Sequence, residues 1–337
     1  MMKTYKVILV GYGPRGKIWS QVIQKNKRAK LIAICEINHQ TKNQNSLKIP
    51  FYTKIEKAIF ENNPDAIILS TPPVSRIKDL KICAKYDLPV LVEKPLAVNF
   101  KEAKNLVKFM NLNKLIMMVG LNFRYLPATL EKIKLINSNK VGQPKFARFV
   151  YERWRDGRIK RLNKYPLTMD QPMLWEQSIH HFDLIRFVYN SDVKSVFATT
   201  SNPSWSMYKN DTNVNAILEL KNGIIINYVG NWQSNSQTLN FEWRTECEKG
   251  IIIQKKQFED LYYKPFKSSV EKKIKLRKIK MWFDDANLLL NDFFDTIKAK
   301  KNIYKINSDH LKSLVVVDAC IKSSKSGKKI QIKANNY

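Results

Sequence analysis

The stretch Val7-Ile8-Leu9-Val10-Gly11-Tyr12-Gly13-Pro14-Arg15-Gly16 decides the fold. Four consecutive apolar residues read as a strand covered on both faces, and the six that follow spell G-x-G-x-x-G. That glycine spacing alone is weak, since chance produces it often. Here it follows a strand, opens a helical stretch, and is trailed 20 residues past Gly16 by Glu36, at the end of a second apolar run over 31–35. Each part has a physical reason. Gly11 permits a tight turn, Gly13 lets the backbone approach a pyrophosphate, and Gly16 allows close helix packing. The helix N-terminus, with Pro14 and Arg15 in its first turn, offers N–H groups and a positive dipole end to phosphates. Glu36 can accept both ribose hydroxyls of an adenosine and would repel a 2′-phosphate. The pattern therefore predicts NAD over NADP, with Arg15 and Lys42 as the cations that could weaken the preference.

Outward from this loop, apolar runs recur at 66–70, 90–92 and 116–119, separated by helical periodicity at 77–86 and 100–111. Such alternation implies βαβ units and an α/β, doubly wound parallel sheet of Rossmann type. After Pro127 the texture changes. A helix over 130–137 precedes a strand over 146–154, and strands over 214–220 and 224–232 flank Lys221-Asn222-Gly223, where Asn-Gly suggests a type I′ hairpin. Two helices, 284–300 and 309–323 with Ser308 as N-cap, close the chain. The expected organisation is a dinucleotide-binding domain over 1–122 and a C-terminal α+β domain over 123–337, with a mostly antiparallel sheet.

The composition excludes several classes. Of 337 residues, 44% are apolar and 11% aromatic, too many for a disordered chain, and no apolar run approaches the roughly 18 residues of a membrane span. The cysteines, Cys35, Cys83, Cys247 and Cys320, are scattered without a CxxC pair, which fits neither a zinc site nor a disulfide framework and reads as a cytoplasmic protein. No metal is expected. The net charge of +30 invites a nucleic-acid reading. The excess is spread along the chain, however, and is carried by 47 Lys against 12 Arg, the signature of a compositional bias on solvated surfaces. One basic run, 264–280, reads as a solvated loop or strand edge. No specific nucleic acid and no membrane is expected as a partner.

Two clusters carry chemistry. Glu93-Lys94-Pro95 follows the strand over 89–92, at the carboxyl edge where open parallel sheets bind ligands. A lysine held there is a candidate acid/base, because an oxidised nicotinamide and partial burial both lower its pKa. In the helical stretch 173–188, Glu176 and His180 lie four apart on one face, and Asp183 follows three after His180. A carboxylate on an imidazole sets its tautomer and raises its basicity, as a proton shuttle requires. His181 faces another way and reads as packed or capping, although it stays among the residues expected to border substrate. The stretch Arg153, Trp154, Arg155, Arg158, Arg161 reads as surface or, alternatively, as a clamp for an anionic substrate, with Arg155 the residue most expected to touch it.

At these residues the chain resembles the glucose–fructose oxidoreductase/inositol dehydrogenase/rhizopine-catabolism (Gfo/Idh/MocA) oxidoreductases. The resemblance rests on the glycine loop, Ser70-Thr71-Pro72-Pro73, Glu93-Lys94-Pro95, Gly120-Leu121-Asn122-Phe123-Arg124, the segment 176–183 and the closing stretch 323–327. It implies a Rossmann domain and a C-terminal domain with a large open sheet, often used to form a homodimer or homotetramer. It also implies NAD(P)-dependent oxidation or reduction of a sugar, cyclitol or related alcohol. By motif position Lys94 and His180 look like the catalytic pair, with Glu176 where relatives usually carry Asp, and the Lys94–Pro95 bond is often cis in relatives. Thr71, Pro72, Glu93, Lys94 and Asn122 are expected at the cofactor with Gly11, Gly13, Pro14, Arg15, Gly16 and Glu36; Lys94, Arg124, Arg155, His180 and His181 are expected at the substrate. The substrate is expected in a cleft between the dinucleotide crevice and the open sheet. Arg76 departs from the pattern, standing where a His commonly follows Thr-Pro. Within the family, redox-neutral chemistry through transient oxidation and a non-catalytic NAD-binding regulator are the alternative readings.

Overall fold

Strand β1 (Tyr5–Val10) is buried almost throughout and β4 (Ala66–Leu69) and β5 (Val90–Val92) entirely so, the pattern of strands covered on both faces. The computed structural model describes residues 3–38, 48–74, 76–160, 162–299 and 302–333. With β2 (Ala29–Cys35), β3 (Phe51–Tyr52) and β6 (Met117–Val119) these strands form a six-stranded sheet in the order β3-β2-β1-β4-β5-β6, every pair parallel. The strand order reverses between β1 and β4, where doubly wound sheets bind ligands at the strands' carboxyl ends. The helices between strands are α1 (Pro14–Lys25), α2 (Ile55–Asn62), α3 (Arg76–Lys85) and α4 (Phe100–Leu112). Asn99 caps α4 by accepting from the Glu102 N–H at 2.8 Å. The α/β doubly wound expectation is met.

The second unit starts with α5 (Pro127–Asn137) and is built on a nine-stranded sheet. Its strands are β7 (Pro144–Glu152), β8 (Val193–Ser201), β9 (Asn213–Leu220), β10 (Ile225–Asn231), β11 (Asn240–Cys247), β12 (Gly250–Gln254), β13 (Tyr262–Pro265), β14 (Lys272–Lys273) and β15 (Ile330–Gln331). They run in the order β14-β13-β12-β11-β7-β10-β9-β8-β15, antiparallel except for β7 with β10. Along β9 burial alternates, with Val214, Ala216, Leu218 and Leu220 inside and Asn215 and Ile217 exposed, so one sheet face is packed and the other open. The packed face is covered by α6 (Ile179–Val188), whose Phe182 stacks near Tyr228 of β10 at 4.9 Å between ring centres. The basic run ends on edge strand β14 and exposed coil, as its solvated reading requires. The β9–β10 turn differs from the type I′ expectation. Only Gly223 has a positive φ (+86°), and the Gly223 N–H donates to Leu220 O at 3.0 Å. That is a type I turn followed by a left-handed glycine, a three-residue loop that keeps Asn222 out of the positive-φ region.

Helices α7 (Asp284–Ala299) and α8 (Ile303–Asp309) return to the first unit, followed by α9 (Leu311–Ser326). The two units are residues 1–125 with 279–311, and 126–278 with 312–337. A simple division at 122/123 therefore gives way to an interleaved one. Its cause is hydrophobic: Leu290, Phe293 and Phe294 of α7 complete the core formed by Tyr5, Leu9, Trp19 and Ile34, and Tyr5 stacks on Phe294 with ring centres 4.3 Å apart. Ser308 is not an N-cap, because the Asn302 side chain accepts from the Lys305 N–H at 3.1 Å and starts α8 earlier. The four cysteines are unpaired, and burial pushes the Cys35, Cys83 and Cys247 thiols up to about 12. Among the described residues no helix is long and apolar enough to cross a membrane.

Candidate functional site

In the first unit the glycine loop turns as its spacing demands. Gly11 has φ +89°, and a Cβ there would meet the Ser70 carbonyl carbon at 2.9 Å; a Cβ on Gly16 would meet the Gly11 carbonyl oxygen at 2.1 Å. Gly13, the residue before α1, faces open space. It supplies no side-chain cap, Pro14 occupies the first turn, and no acidic residue lies there. Helix α1 thus leaves its N-terminal dipole and amides unanswered at the crevice, as a pyrophosphate cradle requires. Glu36, at the end of β2, accepts from the Tyr12 N–H at 2.7 Å and from the Asn38 N–H at 3.0 Å, which sets its carboxylate beside the loop. Lys42 lies outside the described residues. These residues fit an NAD cofactor.

The Lys94 turn after β5 is held from two sides. Arg76, 1% exposed at the start of α3, donates through Nη1 to the carbonyls of Glu93, Pro95 and Leu96, and through Nη2 to Thr71 O at 2.7 Å. One guanidinium therefore ties the Glu93-Lys94-Pro95 backbone to the Thr71-Pro72 loop, and the Lys94–Pro95 bond is cis. From the other side, the Glu93 carboxylate accepts from Arg15 Nε and from Trp19 Nε1, both at 2.6 Å. Arg15 and Glu93, both expected at the cofactor, pair through Arg15 Nε, and among the described residues neither Arg15 Nη atom has a hydrogen-bond partner. An arginine at the start of a helix meets a buried carboxylate more favourably than open crevice, and the pair is further enclosed by the Trp19 ring, 5.3 Å from the guanidinium.

Asn122 and Arg124 meet the returning helices. Asn122, 2% exposed, donates its amide to Asp285 of α7, and Arg124 Nη2 donates to Asp309 Oδ2 of α8 at 2.6 Å. Burial raises the Asp285 carboxyl above its ordinary range, opposed by the Asn122 hydrogen bond. These two side chains therefore dock the returning helices, a role invisible while α7 and α8 were assigned to the other domain.

In the second unit the segment 173–188 is helical, but residues Leu174–Ser178 form a π turn ahead of α6. Glu176 Oε1 accepts from the Tyr165 hydroxyl. Asp183 accepts from Ser313 Oγ at 3.3 Å and lies 3.6 Å from Arg186. His180 is 5% exposed. His181, expected at the substrate, is 1% exposed. It is enclosed between the Phe149 and Tyr151 rings, with Nδ1 2.8 Å from Tyr228 Oη and Nε2 3.0 Å from Gln177 Nε2. Burial holds its pKa down to about 3, so it stays neutral.

Sequence reasoning passed over Tyr165, whose partner is 11 residues on, and Trp19 and Asp285, whose partners are 74 and 163 residues away, and read Arg76 only as a departure from a pattern. Its signal was its type: a buried-site arginine in a chain that otherwise favours lysine.

Sheet order, glycine cradle and ribose-side carboxylate define the first unit as a nicotinamide dinucleotide-binding Rossmann domain. A family model described as an oxidoreductase family with an NAD-binding Rossmann fold matches residues 5–121, and one described as the GFO/IDH/MocA C-terminal domain matches residues 131–253. The chain belongs to the Gfo/Idh/MocA family of oxidoreductases. An inositol 2-dehydrogenase of Mycolicibacterium smegmatis is 29% identical over 150 residues, 44% of this chain and 41% of that relative's length. Among solved structures, an oxidoreductase from Agrobacterium radiobacter in complex with NAD+, L-tartaric acid and magnesium superposes with a TM-score of 0.85 at 17% identity, covering 98% of each chain. A myo-inositol 2-dehydrogenase from Lactobacillus plantarum gives a TM-score of 0.79 at 20% identity, covering 98% of this chain and 100% of that one.

Proposed function

We propose that this NAD-binding oxidoreductase transfers hydride between nicotinamide and a hydroxyl or keto carbon of a sugar, cyclitol, uronate or nucleotide-sugar. The observation that carries the reading is the bracing of the Lys94 turn by two arginines, which holds an amine at the carboxyl edge of β5. Bound NAD supplies the hydride acceptor or donor. Lys94 hydrogen-bonds the reacting oxygen, and His180 takes its proton on oxidation and returns it on reduction. Glu176, bonded to Tyr165, supports the positive charge that His180 gains. Such general acid–base catalysis contributes about 10²–10⁴-fold. On the open sheet face Phe197 (41% exposed) pairs with Ile217 (50% exposed), and covering this apolar patch favours a homodimer or homotetramer.

The test is NADH fluorescence over a panel of polyol, aldose, uronate and nucleotide-sugar, with Lys94→Met and His180→Asn. Both variants are expected to lose about 10²–10⁴-fold in kcat while binding NAD as before. Unchanged turnover in Lys94→Met with intact NAD binding refutes its role. Substrate conversion without net NADH marks transient oxidation instead.

A further inference from the structure

The stretch leaving β7 poses a question of residue choice. Among 47 lysines and 12 arginines, four arginines fall within residues 153–161. A surface that needed only positive charge would have drawn on lysine, as the rest of the chain does. Arginine differs in its planar fork, which matches a carboxylate with two parallel hydrogen bonds.

The arginines also differ in what answers them. Outside this stretch the guanidiniums withdrawn from solvent each meet a carboxylate or backbone carbonyls: Arg15 meets Glu93, Arg28 Asp295, Arg124 Asp309, Arg186 Asp183 and Asp192, and Arg76 four carbonyls. Within it, Arg158 is exposed and pairs with Asp156 at 3.5 Å, and Arg161 lies outside the described residues. Arg153 and Arg155 are half-buried, and among the described residues neither meets a carboxylate. Arg153 reaches only the Trp154 carbonyl, at 3.4 Å, and the Tyr151 hydroxyl. The Arg155 guanidinium carbon lies over the buried Trp232 ring, 3.9 Å from its centre. Taking two cations partly out of water without an anion is costly, so their fixed placement asks for one.

The placement is built into the fold. The Arg153 and Arg155 N–H groups donate to the Asn231 and Trp232 carbonyls at 2.9 Å, and the Arg155 carbonyl accepts from Tyr208 Oη and Gln233 Nε2, each at 3.2 Å. The Tyr208 hydroxyl, bonded to the Arg155 carbonyl, is within electrostatic reach of Arg153, Arg155 and Glu176 of the same unit. Asp156, the remaining charge there, is engaged with Arg158.

We infer that the substrate carries a carboxylate, held by the paired guanidiniums of Arg153 and Arg155 while its carbinol is presented to His180. The inference rests on the hydride-transfer reading above and narrows its substrate class to acidic sugars, uronates and aldonates.

The probes are D-glucuronate, D-glucose 6-phosphate and myo-inositol, applied to the full chain with NAD+. Calorimetry measures binding and NADH fluorescence measures turnover. D-Glucuronate is expected to bind tighter than the other two. Arg155→Gln and Arg153→Gln should each weaken it on the order of 100-fold, as a KM effect with kcat and NAD+ affinity retained. Arg155→Lys keeps charge and packing but loses the fork, and should fall between the two. Should Arg155→Gln fail to fold, Arg155→Lys still decides. Glucuronate binding that the variants weaken, without NADH formation, upholds the carboxylate site and sinks the hydride-transfer reading alone. Equal binding of neutral and acidic probes, preference for the phosphate, or variants that leave glucuronate affinity unmoved overturns the inference.

Discussion

Arg76 and Arg155 present the same guanidinium to opposite ends. Arg76 is fully enclosed and donates to the carbonyls of Thr71, Glu93, Pro95 and Leu96. Arg155 rests on Trp232, and among the described residues no carboxylate pairs with it. Burial of a cation among backbone carbonyls makes architecture; a half-buried cation awaiting an anion makes a binding site. The difference teaches that residue type locates neither function. What decides is whether the surrounding fold has already satisfied the group.

The comparison can be broken most sharply at Arg76. Arg76→Met is expected to leave four buried carbonyls unmet and to destabilise the first unit by on the order of 3 kcal/mol, read as a lower midpoint in urea unfolding. Because the lost bonds set the Lys94 backbone, turnover should fall as well, with substrate KM changing less than kcat. A variant as stable and active as the parent would show that the carbonyl clamp is idle. His181 is likewise enclosed and engaged within the fold, and pH tests it. Above about pH 6.5 His181 is neutral both folded and unfolded. As pH falls from there toward 3, the unfolded chain takes a proton that the buried ring refuses, so the stability His181 lends is lost at up to about 1.4 kcal/mol per pH unit. His181→Gln should flatten that part of the stability–pH curve; an unaltered slope would assign it elsewhere. The smallest effect is expected at Arg158, whose exposed pairing with Asp156 should contribute within about 0.5 kcal/mol. Arg158→Gln should leave both the melting temperature and the glucuronate KM in place, which separates specific use of Arg153 and Arg155 from bulk charge.

The glycine loop, the parallel sheet and the candidate positions of Lys94, His180 and Glu176 were legible because each is encoded over a few adjacent residues. Periodicity, turn chemistry and helix spacing are local properties of the chain. The return of α7 and α8 was not, since an amphipathic helix carries its apolar face in sequence without naming the core it will join. The same limit hid the partners of Asn122 and Arg124, since Asp285 and Asp309 lie 163 and 185 residues away. It also hid the pairing of Arg15 with Glu93, 78 residues apart.

By itself the sequence determined a dinucleotide cradle and the candidate proton-transfer groups, because backbone freedom at glycine and the chemistry of amine, imidazole and carboxylate travel with the residue. Only the tertiary structure decided which charges are answered internally, since long-range pairing depends on which distant segments the hydrophobic core brings together. That is why Arg76 and Arg155, alike in the chain, separate in the fold into a clamp on the backbone and an outstretched receptor.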